Sequence, residues 1–270
     1  MSPIILLSAC ALSLSCIACS DPAPCSNCVS SMQYGYARTD FEVAGHRGFV
    51  IMPSSRPKTG LIPWVWYAPT FIGSLPGSAN TWICERLLAK GIAVCGVDVG
   101  ESYGNPQGRA VFTEFHRSIV SKFGLSAKAC LWAQSRGGLM LYNWAVEHPD
   151  FVRCIGGTYT VCDMASFPGL AAAAPAYGMT EAELRSHLAT HNPIDRLAPL
   201  AAHKIPILHI HGNSDTLVPL EANSAELARR YKALGGSMKL IVVNGKGHAE
   251  IPEFFKRQEM VDFFVTNACK

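Results

Sequence analysis

The chain has 270 residues, of which 49% are hydrophobic and only 16% are charged, so it is long enough for one sizeable domain with a full core and too apolar to be disordered. Its formal net charge is +3, and it contains no run of Lys and Arg. These features argue against a nucleic-acid partner and favour a compact globular enzyme.

The N-terminal stretch Ile4–Ala18 is apolar and rich in small residues. It has the length of a signal-peptide core and is too short to span a bilayer, so we predict no transmembrane segment. We predict a signal peptide over 1–18, a linker over 19–39 and the folded domain over 40–270, in a protein that is exported, either secreted or periplasmic. Cys19 lies where a lipoprotein processing site would place a lipid-anchored cysteine.

The chain contains 11 cysteines. Cys25 and Cys28 form a C-x-x-C pair, and since no second pair lies nearby, a local disulfide or a plain linker is favoured over a zinc site. Cys95, Cys130 and Cys154 lie in predicted buried strands, where cysteine often acts as a small hydrophobic residue. We therefore expect no metal and no cofactor.

Predicted strands alternate with predicted helices after an opening hairpin at 40–53. The later predicted strands are 61–67, 92–97, 129–134, 154–159, 205–211 and 238–243. The predicted helices are 80–90, 109–123, 137–147, 180–189, 221–234 and 252–267. This alternation implies parallel βαβ units, and hence a three-layer α/β/α domain with a mostly parallel, doubly wound sheet. A small lid or insert is expected at the less regular stretch 163–199.

The segment Ala133-Gln134-Ser135-Arg136-Gly137 has the pattern of a nucleophile elbow, in which a sharp strand-to-helix turn exposes one serine hydroxyl above the sheet. The turn strains the backbone of the serine, so the residues two positions away on either side must be small. Ala133 replaces the usual first glycine. The segment identifies Ser135 as a candidate nucleophile.

Two later loops carry the acid and the base that a serine nucleophile needs. Asp215 follows the predicted strand 205–211, and His248 follows the predicted strand 238–243. Ser135, Asp215 and His248 therefore each come just after the carboxyl end of a parallel strand, the edge at which open α/β sheets build their sites.

Other interpretations of these residues are less favoured. Ser135 could be an ordinary helix cap, and other aspartates compete with Asp215 for the acid role: Asp98, Asp163 and Asp195. None of these follows a strand so late in the chain. His209 and His211 alternate on one strand, and we interpret them as packed histidines rather than metal ligands.

With these motifs the chain resembles the α/β-hydrolase superfamily, in particular its dienelactone-hydrolase and prolyl-oligopeptidase-like branch. The matching segments are Gln134–Gly138, His211–Asp215 with Val218–Pro219, and Gly245–His248. The resemblance covers roughly residues 45–265. It implies that Ser135 is the nucleophile, His248 the general base and then acid, and Asp215 the carboxylate that orients the imidazole.

The same resemblance implies an oxyanion hole, to which the N–H of Arg136 should contribute. The second donor should come from the loop after the predicted strand 61–67. Pro69 has no N–H, so Thr70 and Phe71 are the candidates.

A serine triad with an oxyanion hole implies acyl transfer to water through an acyl-enzyme. Prolyl-oligopeptidase-like peptidases carry a large β-propeller before the catalytic domain, and the segment before the folded domain here is too short for one. We therefore expect an exported carboxylic ester hydrolase. A small serine peptidase or amidase, or a non-catalytic binding protein of this fold, are the alternatives.

Acyl groups on carbohydrates, such as acetyl on a plant or algal polysaccharide, are one class of substrate considered. Aromatic residues in loops near the expected site are candidates for substrate binding: Trp82, Tyr103 and Phe167, with Phe71 as a further aromatic. A role as core or lid aromatics is equally compatible with the sequence.

Overall fold

The computed structural model describes residues 28–55 and 60–268, so the predicted signal peptide and Cys19 lie outside the described residues. Nine strands form one mixed sheet. They are β1 (Val29–Gln33), β2 (Tyr36–Val43), β3 (His46–Ile51), β4 (Trp64–Ala68), β5 (Ala93–Val97), β6 (Ala129–Gln134), β7 (Val152–Thr158), β8 (Ile207–Gly212) and β9 (Met238–Val243).

The strand order is β1-β2-β3-β5-β4-β6-β7-β8-β9. Strands β4 to β9 are parallel to one another, and β5 pairs antiparallel with β3 on its other side. The expected opening hairpin is β2 and β3, which pair antiparallel across a turn at Ala44 and Gly45 with φ of 51° and 76°. Positive φ at two adjacent residues gives a turn whose twist matches that of the strands it joins. The mostly parallel, doubly wound sheet predicted from the sequence is confirmed.

The prediction of a linker over 19–39 is wrong for residues 29–39, where the structure has two paired strands. Val29–Gln33 forms β1, and β2 begins at Tyr36 and pairs with β1 from Val29↔Asp40 to Gln33↔Tyr36. Tyr34 and Gly35, with φ of 54° and 78°, form the tight turn that joins these two strands. The segment is largely polar and exposed, so it lacks the apolar pattern that predicts a buried strand.

In the part of the chain that the structure describes, ten α-helices connect or flank the strands. They are α1 (Thr81–Ala89), α2 (Pro106–Phe123), α3 (Gly137–Glu147), α4 (Leu170–Ala173), α5 (Glu181–Ser186), α6 (Leu188–His191), α7 (Ala198–Ala202), α8 (Glu226–Ala233), α9 (Pro252–Phe255) and α10 (Gln258–Ala268). Helix α2 begins earlier than predicted because Asn105 caps it, accepting from the Gly108 N–H at 2.7 Å, with Pro106 in the first helical position.

Side chains alternate between two cores on opposite faces of the sheet. In β4, Trp64 and Trp66 join the core beneath α2, α3, α7 and α8, whereas Val65 and Tyr67 join the core beneath α1 and α10. Both faces are therefore covered by helices, which gives the three-layer α/β/α arrangement. This burial fixes the carboxyl ends of the parallel strands, where the candidate site lies.

The irregular stretch 163–199 carries α4, α5, α6 and the start of α7, inserted between β7 and β8. It packs in a third apolar cluster with Leu139, Val161 and Val218, which lie beside the predicted site residues. This is the lid or insert expected from the sequence.

Cys28 is disulfide-bonded. Cys95, Cys130 and Cys154 lie in strands, as expected of small hydrophobic residues. Over residues 28–55 and 60–268, no helix has the length and hydropathy to cross a membrane. The same residues include no group of His, Cys, Asp and Glu suited to a metal ion.

Candidate active site

Strands β6, β8 and β9, all parallel, bring the predicted triad residues to one edge of the sheet. Ser135 follows β6, Asp215 lies three residues after β8, and His248 lies in the loop after β9. The Ser135 Oγ lies 2.9 Å from His248 Nε2, and His248 Nδ1 lies 2.8 Å from Asp215 Oδ2. The three side chains thus form one hydrogen-bonded chain from a hydroxyl through an imidazole to a carboxylate.

Ser135 has the left-handed backbone conformation that the elbow pattern predicts, with a φ of 49°. Its N–H donates to the Thr158 carbonyl at 3.0 Å, and its own carbonyl accepts from Gly138 and Val161. A Cβ added to Gly137 would lie 2.0 Å from the Ala68 carbonyl oxygen, so only glycine fits there. These contacts hold the serine in a conformation that costs roughly 1–3 kcal/mol for a non-glycine residue.

The Asp215 carboxylate is held from several sides. Oδ1 accepts from the N–H groups of Leu217 and Val218 at 3.0 and 2.8 Å, and Oδ2 lies within reach of His248 and also of His211, whose Nε2 is 3.4 Å away. Burial alone would raise the pKa of Asp215, but the contacts with His211, His248 and Val218 outweigh it and hold the pKa well below its usual range. The carboxylate is therefore ionised at neutral pH.

The loop after β4 supplies the candidates for the second oxyanion donor. Ala68 pairs with Ala133, so this loop and Ser135 leave the sheet side by side. The N–H of Phe71 donates to the Leu75 carbonyl at 2.7 Å and is committed within its own loop, so the structure argues against Phe71. The Thr70 and Arg136 N–H groups donate to no other described residue, which leaves them as the candidate pair.

A buried polar network surrounds the residue before the serine, and sequence reasoning missed it. Gln134 Oε1 accepts from the Tyr67 hydroxyl at 2.8 Å and from Asn80 Nδ2 at 3.0 Å, while Gln134 Nε2 donates to the Tyr159 hydroxyl at 3.2 Å and to Glu250 at 3.3 Å. A polar residue ending an otherwise apolar strand was the available signal, although its partners lie far away along the chain.

Tyr159 is a second residue that the sequence analysis missed. It follows β7, at the same sheet edge as the other site residues, and its ring centroid lies 4.1 Å from that of His248. Burial, followed by the nearby Glu250 carboxylate, raises the pKa of Tyr159 far above its usual value, so the phenol stays protonated. Tyr159 thus forms an apolar wall beside the imidazole.

The three predicted substrate-binding aromatics do not lie together. Tyr103 and Phe167 pack against the third apolar cluster, the one formed by the insert 163–199. Trp82 packs instead against the core beneath α1 and α10. Trp82 and Glu85 of α1 line a cavity of about 510 Å³ together with Glu250 and with residues of α9. The cavity adjoins the His248 loop, since Glu250 lies two residues after His248.

A mostly parallel sheet flanked by helices, with a serine elbow after β6 and its partners after β8 and β9, defines the α/β-hydrolase fold. Residues 114–267, more than half of the chain, match the model of the prolyl oligopeptidase family. The chain belongs to this family and is a member of the serine hydrolase superfamily.

Several solved structures share the fold at low sequence identity. An S-formylglutathione hydrolase from Agrobacterium tumefaciens superposes with a TM-score of 0.72 at 13% identity over 90% of this chain and 100% of that chain. A truncated carbohydrate esterase from gut microbiota superposes with a TM-score of 0.66 at 19% identity over 93% of this chain and 100% of that chain. The dipeptidyl peptidase 4 of Porphyromonas gingivalis gives 0.68 at 14% identity over 85% of this chain and 35% of that chain.

The chain thus spans about a third of the length of the dipeptidyl peptidase and the full length of the two esterase structures. A search of curated proteins by sequence finds no significant match. At these identities the structural neighbours establish the fold and leave the substrate open.

Proposed function

We propose that the protein hydrolyses carboxylic esters through an acyl-enzyme, with Ser135 as nucleophile, His248 as general base and acid, and Asp215 as the orienting carboxylate. The observation that carries this proposal is the chain of 2.9 and 2.8 Å contacts from Ser135 Oγ through His248 to Asp215 Oδ2. A serine hydroxyl becomes nucleophilic when an adjacent base accepts its proton, and here the base is itself oriented by a buried carboxylate.

The reaction takes place in two half-reactions. His248 Nε2 accepts the Ser135 proton as Oγ attacks the ester carbonyl, and the N–H groups of Arg136 and Thr70 stabilise the oxyanion. His248 then protonates the leaving alkoxide, which departs as an alcohol and leaves the acyl group on Ser135. A water molecule, deprotonated by His248, attacks the acyl-enzyme, and the carboxylic acid leaves as Ser135 regains its proton.

Ester hydrolysis is preferred over peptide hydrolysis on chemical grounds, because an ester carbonyl is less stabilised by resonance than an amide and because an amide nitrogen must be protonated before it leaves. Family membership favours the second candidate, a small serine peptidase or amidase. Hydrolysis of p-nitrophenyl acetate compared with a panel of dipeptidyl p-nitroanilides separates the two. A higher kcat/KM for the anilides would reverse the proposed preference.

A fluorophosphonate probe tests for the activated serine directly. We expect the wild type to be labelled and Ser135→Ala not to be labelled, while Ser121→Ala, on the exposed face of α2, keeps full labelling. Loss of p-nitrophenyl acetate hydrolysis should accompany loss of labelling. A wild type that resists the probe at every pH would favour the remaining alternative, a non-catalytic binding protein of this fold.

For the alcohol part of the substrate we propose a carbohydrate. The cavity of about 510 Å³ beside the His248 loop combines the Trp82 indole, which carries the Arg86 guanidinium over one face, with carboxylates, hydroxyls and Lys256, groups that pack against and hydrogen-bond to a sugar. Trp82→Ala should raise KM for acetylated oligosaccharides while changing kcat/KM for p-nitrophenyl acetate little. If Trp82→Ala impaired the hydrolysis of both substrates equally, it would contradict a carbohydrate site in this cavity.

We also propose that the protein is exported, supported by the apolar stretch Ile4–Ala18. Expression of the full chain followed by N-terminal sequencing of the exported product tests this. A mature N-terminus just after Ala18 is expected, and incorporation of radiolabelled palmitate would show lipid attachment at Cys19. Full-length protein confined to the cytoplasm would contradict export.

A further inference from the structure

A row of buried polar side chains continues inward from Asp215. Tyr142, His209, Ser224 and His211 are all fully buried. The Tyr142 hydroxyl lies 2.8 Å from His209 Nε2, and Ser224 Oγ lies 2.8 Å from Nδ1 of both His209 and His211. His211 Nε2 lies 2.9 Å from the Val218 carbonyl and 3.4 Å from Asp215 Oδ2. The proposed reaction gives none of these four side chains a role.

For neutral imidazoles, the Val218 carbonyl fixes the direction of every hydrogen bond in the row. This carbonyl accepts only, so His211 Nε2 carries a proton and donates, and His211 Nδ1 accepts the single proton of Ser224. His209 therefore donates from Nδ1 to Ser224 and accepts at Nε2 from the Tyr142 hydroxyl. The four groups therefore determine one tautomer of His211, with its N–H facing Val218 and Asp215.

The surroundings keep His209 neutral and hold the row in place. Burial, with the neighbouring His211, lowers the pKa of His209 to about 3, so its imidazole is neutral at physiological pH. Ser224 lies in a π-helical turn, Glu221–Ala225, which brings both Asn223 and Ser224 fully inward. Asn223 in turn accepts from the N–H groups of Cys162 and Asp163 after β7, which anchors the turn. π-Helical turns are rare in proteins, but those that occur are often found at functional sites.

We propose that His211 is a positioning residue for Asp215 and that Ser224, His209 and Tyr142 hold His211 in the required tautomer. This inference rests on the proposed function. The His211 N–H faces the same carboxylate oxygen, Oδ2, that receives His248 Nδ1–H. It also bonds the carbonyl of Val218, whose N–H bonds Asp215 Oδ1. The carboxylate is thereby fixed in position and orientation while His248 gains its proton.

The opposite tautomer of His211 would place a lone pair against the Val218 carbonyl and the Asp215 carboxylate, and this repulsion would displace the carboxylate from His248. Two substitutions at His211 distinguish the effect of its N–H donor from the effect of the space that its ring fills. His211→Gln supplies an amide N–H near the position of Nε2, whereas His211→Leu fills the space and removes the donor. Ser224→Ala leaves His211 in place and removes the hydroxyl that fixes its tautomer.

We expect His211→Leu to lower kcat for p-nitrophenyl acetate by roughly tenfold to a hundredfold with KM nearly unchanged, the range expected for losing a hydrogen bond to a charged group. His211→Gln should restore most of kcat, and Ser224→Ala should lose kcat in the same direction as His211→Leu. His203→Leu, at a partly exposed histidine after α7, is the matched control and should keep wild-type kcat.

A spectroscopic readout makes the test independent of turnover. The proton shared by His248 Nδ1 and Asp215 should give a downfield proton resonance in the wild type and in His211→Gln, and this resonance should shift or broaden in His211→Leu and Ser224→Ala. If the wild type fails to hydrolyse esters, the proposed function fails, but this pattern of resonances would still support the positioning role.

Two outcomes would overturn the inference. One is a folded His211→Leu that keeps both kcat and the resonance of the wild type. The other is equal loss in the Gln and Leu variants in proportion to their loss of thermal stability, which would make His211 a packing residue. Should His211→Leu fail to fold, unchanged kcat and an unchanged resonance in Ser224→Ala would also overturn the inference.

Discussion

Gln134 Nε2 donates to Glu250 Oε1 at 3.3 Å, and this contact joins the residue before Ser135 to the loop that carries His248 across 116 positions of sequence. Through the same amide group, Gln134 also bonds Tyr159, whose ring packs on the His248 imidazole. One side chain therefore sets the spacing between the elbow and the histidine loop.

Replacing Gln134 with Leu should lower both stability and activity. The substitution leaves the Tyr67 hydroxyl without its partner in a fully buried site, which costs about 1–3 kcal/mol in the free energy of unfolding. It also frees the His248 loop, so kcat should fall while the protein remains folded. Urea unfolding and steady-state kinetics measure the two effects. Gln258→Leu, on the exposed face of α10, should change neither, and an unaffected Gln134→Leu would show that the network is dispensable.

Adding a methyl group at Gly137 should disrupt the elbow. The new Cβ would lie 2.0 Å from the Ala68 carbonyl oxygen, a backbone atom that cannot move without shifting β4 and its loop. We expect Gly137→Ala to reduce the free energy of unfolding by about 1–3 kcal/mol or more, and to reduce labelling by fluorophosphonate. In Gly77→Ala the nearest heavy atom to the new Cβ is 3.8 Å away, so this control should retain both properties.

The charge of Asp215 should appear in the pH dependence of stability. Its pKa in the folded protein lies below the value of about 3.9 for an unfolded aspartate. The ionised carboxylate therefore stabilises the fold fully above about pH 4, and this contribution is lost as the pH falls toward the folded pKa. Below about pH 4, chemical denaturation should show a steeper fall in stability for the wild type than for Asp215→Asn. Parallel curves would contradict the lowered pKa.

Asp215→Asn should also lower kcat at neutral pH by roughly three to four orders of magnitude, since an amide stabilises the wrong tautomer of the general base. The matched control is Asp195→Asn, at the carboxylate that pairs with Arg230 away from the proposed triad. Its kcat should stay close to that of the wild type. A small effect of Asp215→Asn on kcat would mean that Asp215 does not orient His248.

Arg136 should tolerate loss of its side chain, because its proposed contribution is the backbone N–H. The guanidinium pairs with Glu101 in a partly exposed position, and such pairs contribute about 1 kcal/mol or less. We expect Arg136→Ala to keep kcat within about threefold of the wild type for p-nitrophenyl acetate. A loss of orders of magnitude would instead place the side chain in the reaction.

The sequence predicts the parts of the fold and of the site that follow from local pattern. Mostly apolar runs identify the parallel strands, and β9 has the predicted bounds Met238–Val243. Because parallel strands end at one edge, residues just after them meet, as Ser135, Asp215 and His248 do. Their catalytic roles stay predictions until the substitutions are made.

Other features depend on contacts that no local pattern encodes. The closing helix predicted at 252–267 is two helices, α9 and α10, separated at Lys256 and Arg257. The hydrogen bond from the Phe71 N–H to the Leu75 carbonyl follows from the turn geometry of one loop. The partners of Gln134 and His211 come from distant strands and helices, so the polar groups around the site emerge only when the chain is folded.

The lid is fastened to the loop after β5 at two points, by Asn105 Nδ2 to the Ala176 carbonyl at 2.6 Å and by the Tyr177 hydroxyl to the Tyr103 carbonyl at 2.8 Å. Swinging it away would break both bonds and expose the apolar cluster beneath it. We therefore expect the insert to keep its place during turnover, so that access to Ser135 depends on the resting position of the insert rather than on its movement.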